Sequence, residues 1–121
     1  MPVTPIGNIS VKQGFVYLND RIQPDNQRFY TIPQGRLFVL TDMVVQNRAP
    51  GDAPVQPTQY TRVSITSPVG TDVVFEVVGN DTLSQHFTTG LCISESFRFL
   101  NIINSSAPFV EFHITGFLRD V

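Results

Sequence analysis

A few residues of this sequence have types and spacing suited to metal chemistry. Glu111 and His113 lie two positions apart in an extended segment, so their side chains point to the same face of a strand. If the fold brought His86 to that face, two imidazoles and one carboxylate could bind a transition metal. β-Barrel proteins with such ligands normally carry an H-x-H pair, and this sequence has none. We therefore interpret both histidines as ordinary strand residues and predict neither a metal nor a cofactor.

The sequence also lacks the motifs of the common enzyme classes. It contains no G-x-S-x-G nucleophile motif, no G-x-x-x-x-G-K-[ST] phosphate loop and no G-x-G-x-x-G dinucleotide motif. Cys92 has no base beside it, and its apolar neighbours predict a buried, unreactive thiol. Glu76, Glu95 and Glu111 stand at no spacing that favours the opposed carboxylates of a glycosidase. We expect a protein that is not an enzyme.

One carboxylate stands inside an apolar run. Asp42 interrupts the segment from Leu37 to Val45, and on a two-residue period it shares a face with Phe38 and Leu40. Both faces of this segment are largely apolar, which predicts a central strand or one that a second subunit covers. Burying an unpaired carboxylate is costly. We therefore expect Asp42 to be a framework residue that pairs with an arginine or accepts hydrogen bonds from backbone amides.

The best candidate for a binding surface is the long connection at 47–60. It contains three prolines and no strand pattern, and long connections are often functional. Its side chains offer charge, amide groups and an aromatic ring, which are the groups that a carbohydrate site uses. The ligand-binding residues predicted in this loop are Arg48, Asp52, Gln56, Gln59 and Tyr60. The alternative is a proline-stiffened crossover between two sheets, with polar side chains that are only solvated.

Composition excludes several classes of partner. Of the 121 residues 15% are charged, and the net charge is −2, so the basic surface of a nucleic-acid-binding protein is absent. No stretch approaches the apolar length of a membrane span, and the N-terminus lacks the basic and apolar regions of a secretion signal. We expect a soluble protein that is made in the cytoplasm and binds neither nucleic acid nor membranes. Incorporation into a virion or another assembly is consistent with the same features.

Short β-strand patterns follow one another along the whole chain. Runs of β-branched and aromatic residues are separated by Pro, Gly, Asn and Asp, and no apolar stripe of helical period exceeds two turns. About seven or eight short strands at regular spacing predict an all-β fold, an antiparallel β-sandwich that is jelly-roll-like. At this length we expect one domain, 1–121.

Two segments carry specific predictions about local structure. The segment 9–19 is predicted as one long strand, with Gly14 at a bulge or kink. Residues 33–35, Pro-Gln-Gly, predict a turn that leads into a strand at 36–47.

The closing strand at 109–118 is predicted to have one apolar face and one mixed face. The apolar face consists of Val110, Phe112, Ile114 and Leu118, and the mixed face of Phe109, Glu111, His113, Thr115 and Phe117. Aromatic residues are enriched at subunit interfaces. We therefore expect a neighbouring subunit to cover the mixed face.

Two segments resemble a known group of proteins. The run TIPQGRLFVLTDMVVQN (31–47) and the closing pattern FTTGLCI…SFRFLNIINSSAPFVEFHITGFL resemble segments of small prokaryotic and phage-associated β-sandwich proteins whose function is not settled. The resemblance aligns Asp42 with an equivalent Asp, Phe117 with a more usual Tyr, and Cys92 with a more usual aliphatic residue. The resembling segments, about half of the chain, are turns and core strands. The resemblance implies a β-sandwich fold and no particular activity.

These features predict a non-enzymatic structural module that associates with copies of itself. The homo-oligomer is expected to be a trimer or ring, within a larger particle or appendage. Apolar residues on both faces of central strands and the excess of Arg over Lys favour this function. The alternative is a module that binds carbohydrate or another ligand through the 47–60 loop.

Overall fold

The computed structural model describes residues 3–67, 70–94, 99–104 and 107–120, with side chains described except at 52, 66–67, 70–74, 94 and 99–101. The ten described strands are β1 (Val3–Pro5), β2 (Asn8–Lys12), β3 (Phe15–Ile22), β4 (Gln27–Thr31), β5 (Arg36–Arg48), β6 (Tyr60–Ser67), β7 (Gly70–Val78), β8 (Thr82–Ser94), β9 (Phe99–Asn104) and β10 (Phe109–Asp120). A 3₁₀ turn, Pro50–Asp52, lies between β5 and β6. Among these residues, no helix is long and apolar enough to cross a membrane.

The strands form two five-stranded sheets. The first sheet has the order β1-β4-β9-β6-β7, and the second has the order β2-β3-β10-β5-β8. From β3 onward the chain pairs as one long antiparallel ribbon, with β3 beside β10, β4 beside β9, β5 beside β8 and β6 beside β7. That ribbon folds over itself to give the two sheets, which is the jelly-roll arrangement. The predicted all-β, jelly-roll-like sandwich is confirmed.

Two further strands precede the jelly roll. β1 pairs with β4 in parallel, whereas β2 and β3 form an antiparallel hairpin. The prediction of one strand at 9–19 is wrong, because Gln13 and Gly14 both have positive φ (53° and 83°) and reverse the chain in two residues. Positive φ at both central positions defines a type I′ turn, whose twist matches that of the flanking strands. The hairpin places β2 at the edge of the second sheet.

The predicted turn at 33–35 is confirmed. The backbone N–H of Arg36 donates to the Pro33 carbonyl at 3.1 Å. Gly35 has a φ of 76°, a backbone conformation that glycine adopts without a steric penalty. The turn therefore connects β4 in the first sheet to β5 in the second.

Some predicted features lie partly or wholly outside the described residues. The sequences at 67–70, Ser-Pro-Val-Gly, and at 104–108, Asn-Ser-Ser-Ala-Pro, also predict turns, but they include residues 68–69 and 105–106, which lie outside the described residues. The same holds for Glu95, which falls between β8 and β9.

Alternate side chains of the two sheets form the core. In β10, Val110, Phe112 and Ile114 are completely buried, as the apolar face predicted for the closing strand requires. They belong to one cluster with Leu18 of the second sheet and Ile102 of the first. Burial of each such side chain contributes about 1.5–3 kcal/mol to folding.

Asn47 links the second sheet to the first at one end of the sandwich. Its side-chain amide donates to the carbonyls of Val77 and Gly79, at 3.1 and 3.2 Å. Its side-chain oxygen accepts a hydrogen bond from the Thr61 hydroxyl at 2.5 Å. Thr61 is in turn the ladder partner of Asn104 within the first sheet. The second buried asparagine therefore lies directly beside this group.

Asn104 makes the reciprocal link, from the first sheet to the second. Its side-chain amide donates to the carbonyls of Ile22 and Ala107, at 2.9 and 3.1 Å. Its side-chain oxygen accepts a bond from the Ala107 backbone N–H at 3.0 Å. Asn104 has no exposed surface and Asn47 has almost none. Both amides need all of these bonds, because an unpaired polar group in the core is costly.

An ion pair joins the two sheets at the edge that carries β1 and β2. Asp20 Oδ2 on β3 lies 3.2 Å from Arg28 Nε on β4, and both side chains are mostly buried. The same carboxylate accepts bonds from the backbone N–H groups of Gly7 (2.6 Å) and Arg21 (2.8 Å). Gly7 leaves the space for this approach, since a Cβ there would lie 2.9 Å from Asp20 Oδ2.

We expect the variant Asn104→Ala to have a free energy of unfolding lower by at least about 2 kcal/mol, because it leaves buried groups of Ile22 and Ala107 without partners. Asn8→Ala, on the exposed edge strand β2, is the matched control and should change this free energy by less than about 0.5 kcal/mol. Urea unfolding of both variants measures the difference. Equal stability of the two variants would contradict the role assigned to Asn104.

Candidate functional site

The face of the second sheet that points away from the core collects the charged, histidine and aromatic residues singled out in the sequence. Cross-strand pairing arranges its side chains in rows. The first row contains Lys12, Phe15 and Phe117; the second, Ser10, Tyr17, Thr115, Asp42 and His86; the third, Asn8, Asn19, His113 and Val44; and the fourth, Arg21, Glu111 and Gln46. We call this surface the outer face. The mixed face predicted for the closing strand lies within it.

A β-bulge in β5 turns Asp42 onto the outer face. Before the bulge Phe38 and Leu40 are buried in the core, and after it Met43 and Val45 are. The pairing of β5 with β8 shifts between Leu40 and Asp42, so the two-residue alternation changes phase there. The expectation that Asp42 is a buried framework residue on the face of Phe38 and Leu40 is therefore wrong. Its side chain is 52% exposed.

Asp42 pairs with His86 rather than with an arginine. Asp42 Oδ1 lies 2.6 Å from His86 Nδ1, and the Thr115 hydroxyl donates to Asp42 Oδ2 at 3.4 Å. The hydrogen bond with His86 is the main cause that holds the pKa of the Asp42 carboxyl below its ordinary value. Both side chains are more than half exposed, so water and salt screen the pair.

The outer face has two adjoining depressions. A polar one, of about 410 Å³, is lined by Asn8, Asn19, Asp20, Arg21, Glu111 and His113. A mainly apolar one, of about 500 Å³, has the aromatic rings of Phe15, Tyr17 and Phe117 in its lining. The Tyr17 hydroxyl lies 2.6 Å from His113 Nδ1, at the boundary between the two.

Glu111 is held between two arginines. Arg21 Nη2 is hydrogen-bonded to Glu111 Oε1, and Arg48 Nε lies 3.8 Å from Glu111 Oε2. The Arg21 guanidinium also lies over the Phe109 ring, 4.7 Å from its centroid. Among the described residues, no three His, Cys, Asp or Glu side chains are placed to hold a metal ion together.

The structure brings two of the predicted loop residues together. The backbone N–H of Gln56 donates to the Gln59 side-chain oxygen at 3.1 Å, and the N–H of Gln59 donates to the Gln56 carbonyl at 3.0 Å. The Gln59 carbonyl accepts a bond from the Gly79 N–H at 2.8 Å. Val55 is buried, and its N–H donates to the Asn80 side chain at 2.8 Å. The loop is thus fastened to the turn between β7 and β8.

The other predicted loop residues take different positions. Arg48 ends β5, where its Nη1 donates to the Gln46 side-chain oxygen at 3.3 Å. Tyr60 begins β6 and is half-buried. The side chain of Asp52 lies outside the described part of the chain. Ligand binding by this loop stays a prediction.

Cys92 lies on the outer face with an exposed side chain. The prediction of a buried thiol is wrong because β8 alternates at this point. Leu91 and Ile93 pack with the core, so the residue between them points outward.

The edge strand β2 is a separate surface. It is the terminal strand of the second sheet, and all five of its residues are exposed. Ile9 and Val11 pair with the core residues Leu18 and Val16, yet they are 44% and 51% exposed. They add apolar area to a free strand edge.

Tyr17, Asn19 and Arg21 were not predicted from the sequence as residues of a functional site. The signal was the alternation of β3, in which these residues interleave with the buried Leu18 and Ile22. Reading 9–19 as one strand concealed it, because the face of β3 can be assigned only after the hairpin turn is recognised.

Comparisons with known proteins identify the fold and no family. No family model and no curated protein matches the chain. A subunit of the disulfide-linked pili known as Bacillus endospore appendages has a TM-score of 0.54 and 9% identity, over 96% of this chain and 93% of that one. A cupin domain from Bordetella pertussis has a TM-score of 0.40 and 14% identity, over 94% and 95%. The CBM32-1 domain of a Clostridium perfringens family 31 glycoside hydrolase has a TM-score of 0.44 and 10% identity, over 88% and 80%. The protein is a β-sandwich module.

In the variant His86→Ala we expect the pKa of Asp42 to rise toward 3.8, because the main hydrogen bond that lowers it is lost. A lowered pKa in the folded protein stabilises the fold above the ordinary pKa, and this stabilisation disappears as the pH falls through the folded-state value. A carbon NMR titration of the carboxyl group measures the change. His113→Ala is the control and should leave the pKa of Asp42 as it is; an equal pKa in both variants would contradict the pairing.

Proposed function

We propose that this β-sandwich is a structural subunit that binds a second copy of itself through strand β2. The observation that carries the proposal is the free outer edge of β2, with Ile9 and Val11 about half exposed. Apart from Lys12 at its end, β2 carries no charge, and it contains neither a proline nor a bulge. Such an edge strand is a template to which another strand adds. The proposed function is contact between subunits, and the proposal includes no enzymatic activity.

The hairpin turn determines which backbone groups of β2 are free. Lys12 and Phe15 flank the two-residue turn and form the hydrogen-bonded pair that closes it. Bonded and non-bonded pairs alternate along an antiparallel ladder. The N–H and C=O groups of Ile9 and Val11 therefore point away from β3, toward the open edge.

The sequence of β2 is complementary to itself in antiparallel orientation. If Ser10 faces its own copy across a twofold axis, Ile9 of one copy faces Val11 of the other. This pair is of the bonded type, so it uses the free backbone groups and brings the apolar side chains together. Asn8 then faces Lys12, so no like charges meet. The two second sheets join into one sheet of ten strands.

This contact gives a closed dimer in place of the trimer or ring expected from the sequence, because a self-complementary edge is used up after two copies. The similarity to a pilus subunit supports this proposal, because it shows that a protein of similar fold assembles into a larger structure. The 121 residues contain one cysteine, Cys92, and can form at most one disulfide, so disulfides alone cannot connect three copies in a row. Backbone pairing at β2 requires no cysteine.

We expect Ser10→Cys, in a Cys92→Ser background, to form a disulfide-linked dimer under mild oxidation. Residues in a non-bonded antiparallel pair have Cα atoms about 4.5 Å apart, which lies within the range of disulfides. A non-reducing gel measures the yield. Asn8→Cys in the same background is the matched control, since this position faces Lys12 of the second copy. Equal yields from both variants would contradict the register.

We expect Val11→Lys to shift the dimer toward the monomer, because it places a charge in the apolar part of the edge. Val78→Lys is the matched control, since Val78 is 44% exposed on β7, an edge strand of the first sheet. Light scattering from about 1 µM to about 1 mM covers weak as well as tight association. A wild-type protein with the mass of a monomer throughout this range would overturn the proposed dimer.

A further inference from the structure

We propose that the outer face binds a neutral oligosaccharide in a groove that crosses β2, β3 and β10. The site uses side chains on the outer face. It is therefore distinct from the predicted binding loop at 47–60 and from the backbone edge of β2 that the proposed dimer uses, and it does not depend on the dimer.

The dimensions of the groove suit an extended ligand. Its four rows of side chains lie at alternate positions of β3, from Phe15 to Arg21. Strands rise about 3.4 Å per residue and lie about 4.8 Å apart, so the three strands offer a strip about 20 Å long and about 10 Å wide. The apolar and polar depressions, of about 500 and 410 Å³, follow one another along this strip. Such a strip fits a chain of sugar rings better than a compact metabolite.

The first two rows offer aromatic surface to the ligand. Phe15 is 68% exposed and Tyr17 is 40% exposed, whereas most large aromatic side chains bury their area in cores or interfaces. The Phe15 and Phe117 rings meet edge to face, with centroids 6.5 Å apart. One face of a pyranose consists of C–H groups and can cover such rings, which removes apolar area from water.

The third and fourth rows offer polar groups with no net charge. The amides of Asn8 and Asn19 both donate and accept hydrogen bonds, as sugar hydroxyls do. The charge of Arg21 is matched by Glu111, to which it is hydrogen-bonded. The other carboxylate in the lining of the polar depression, that of Asp20, is paired with Arg28, so this end favours a neutral ligand over an anionic one. A further charge in the groove lining is that of Lys12, which lies at the apolar end.

Contacts between the groove side chains already hold them in place. The hydrogen bond to His113 fixes the Tyr17 ring, and Glu111 and Phe109 fix the Arg21 guanidinium. Binding therefore costs little side-chain entropy. Such preorganisation of a site raises its affinity for a ligand.

The test uses oligomers of glucose, mannose, galactose and N-acetylglucosamine, with a sulfated galactan as the acidic comparison. Calorimetry measures affinity, and amide NMR shifts locate the contact.

We expect a neutral oligomer to shift β3 and β10 amides, and Tyr17→Ala to weaken its binding at least about tenfold. Phe15→Ser should also weaken binding. Because Phe15 is exposed, this substitution should leave the protein folded, so a loss of binding would not be due to unfolding. Tyr60→Ala, in the 47–60 loop, is the matched control and should bind as wild type does.

Three results would overturn the inference. The first is binding that survives in Tyr17→Ala but is lost in Tyr60→Ala, which would place the site in the 47–60 loop. The second is binding of the sulfated galactan alone, with an affinity that falls as salt rises, which identifies a polyanion site. The third is no binding of any oligomer of the panel to the folded wild-type protein.

Discussion

The hydrogen bonds of two buried side-chain amides, those of Asn47 and Asn104, determine how one end of the sandwich closes. Each amide uses both N–H groups and its oxygen, and each reaches from its own sheet to the other. A buried amide can be satisfied only if all its partners are in place, so the links between strands at this end have little freedom. The connection between β5 and β6 lies between Asn47 and Thr61 in the sequence, and hydrogen bonds of the Val55 and Gln56 backbone N–H groups hold it along its length.

The outer face owes its chemistry to two local interruptions of regular strand structure. The type I′ turn at Gln13 and Gly14 creates the β2–β3 hairpin, which brings Asn8 and Ser10 beside Asn19 and Tyr17. The bulge in β5 shifts the alternation and moves one carboxylate from the core side to solvent. Without these interruptions the exterior of the second sheet would lack the row from Ser10 to His86. In β5, Phe38 and Leu40 could not share the interior with Met43 and Val45, because an unbroken strand would place the two pairs on opposite faces.

Alternation along the sequence was sufficient to predict the sandwich and both faces of the closing strand, because period-two burial follows directly from strand geometry. It was insufficient wherever one residue changes the phase. Asp42 was misplaced because a bulge leaves no compositional signal in LTDM. The residues of β3 were missed for a similar reason, since the turn residues Gln13 and Gly14 also fit a kinked strand. The pairing of Tyr17 with His113 joins positions 96 residues apart, and no local pattern reports it.

The ribbon topology has a consequence for how the chain acquires its structure. β10 lies between β3 and β5 in the middle of its sheet, yet it is the last of the described strands to be synthesised. Until it arrives, β3 and β5 have no common neighbour, and the core lacks Val110, Phe112 and Ile114. Pairings between residues so distant along the chain slow folding, because the entropy of closing a long loop is lost before the contacts form. The closing strand of another copy would fit the same gap, so exchange of β10 between molecules is a form of misassembly that this topology permits.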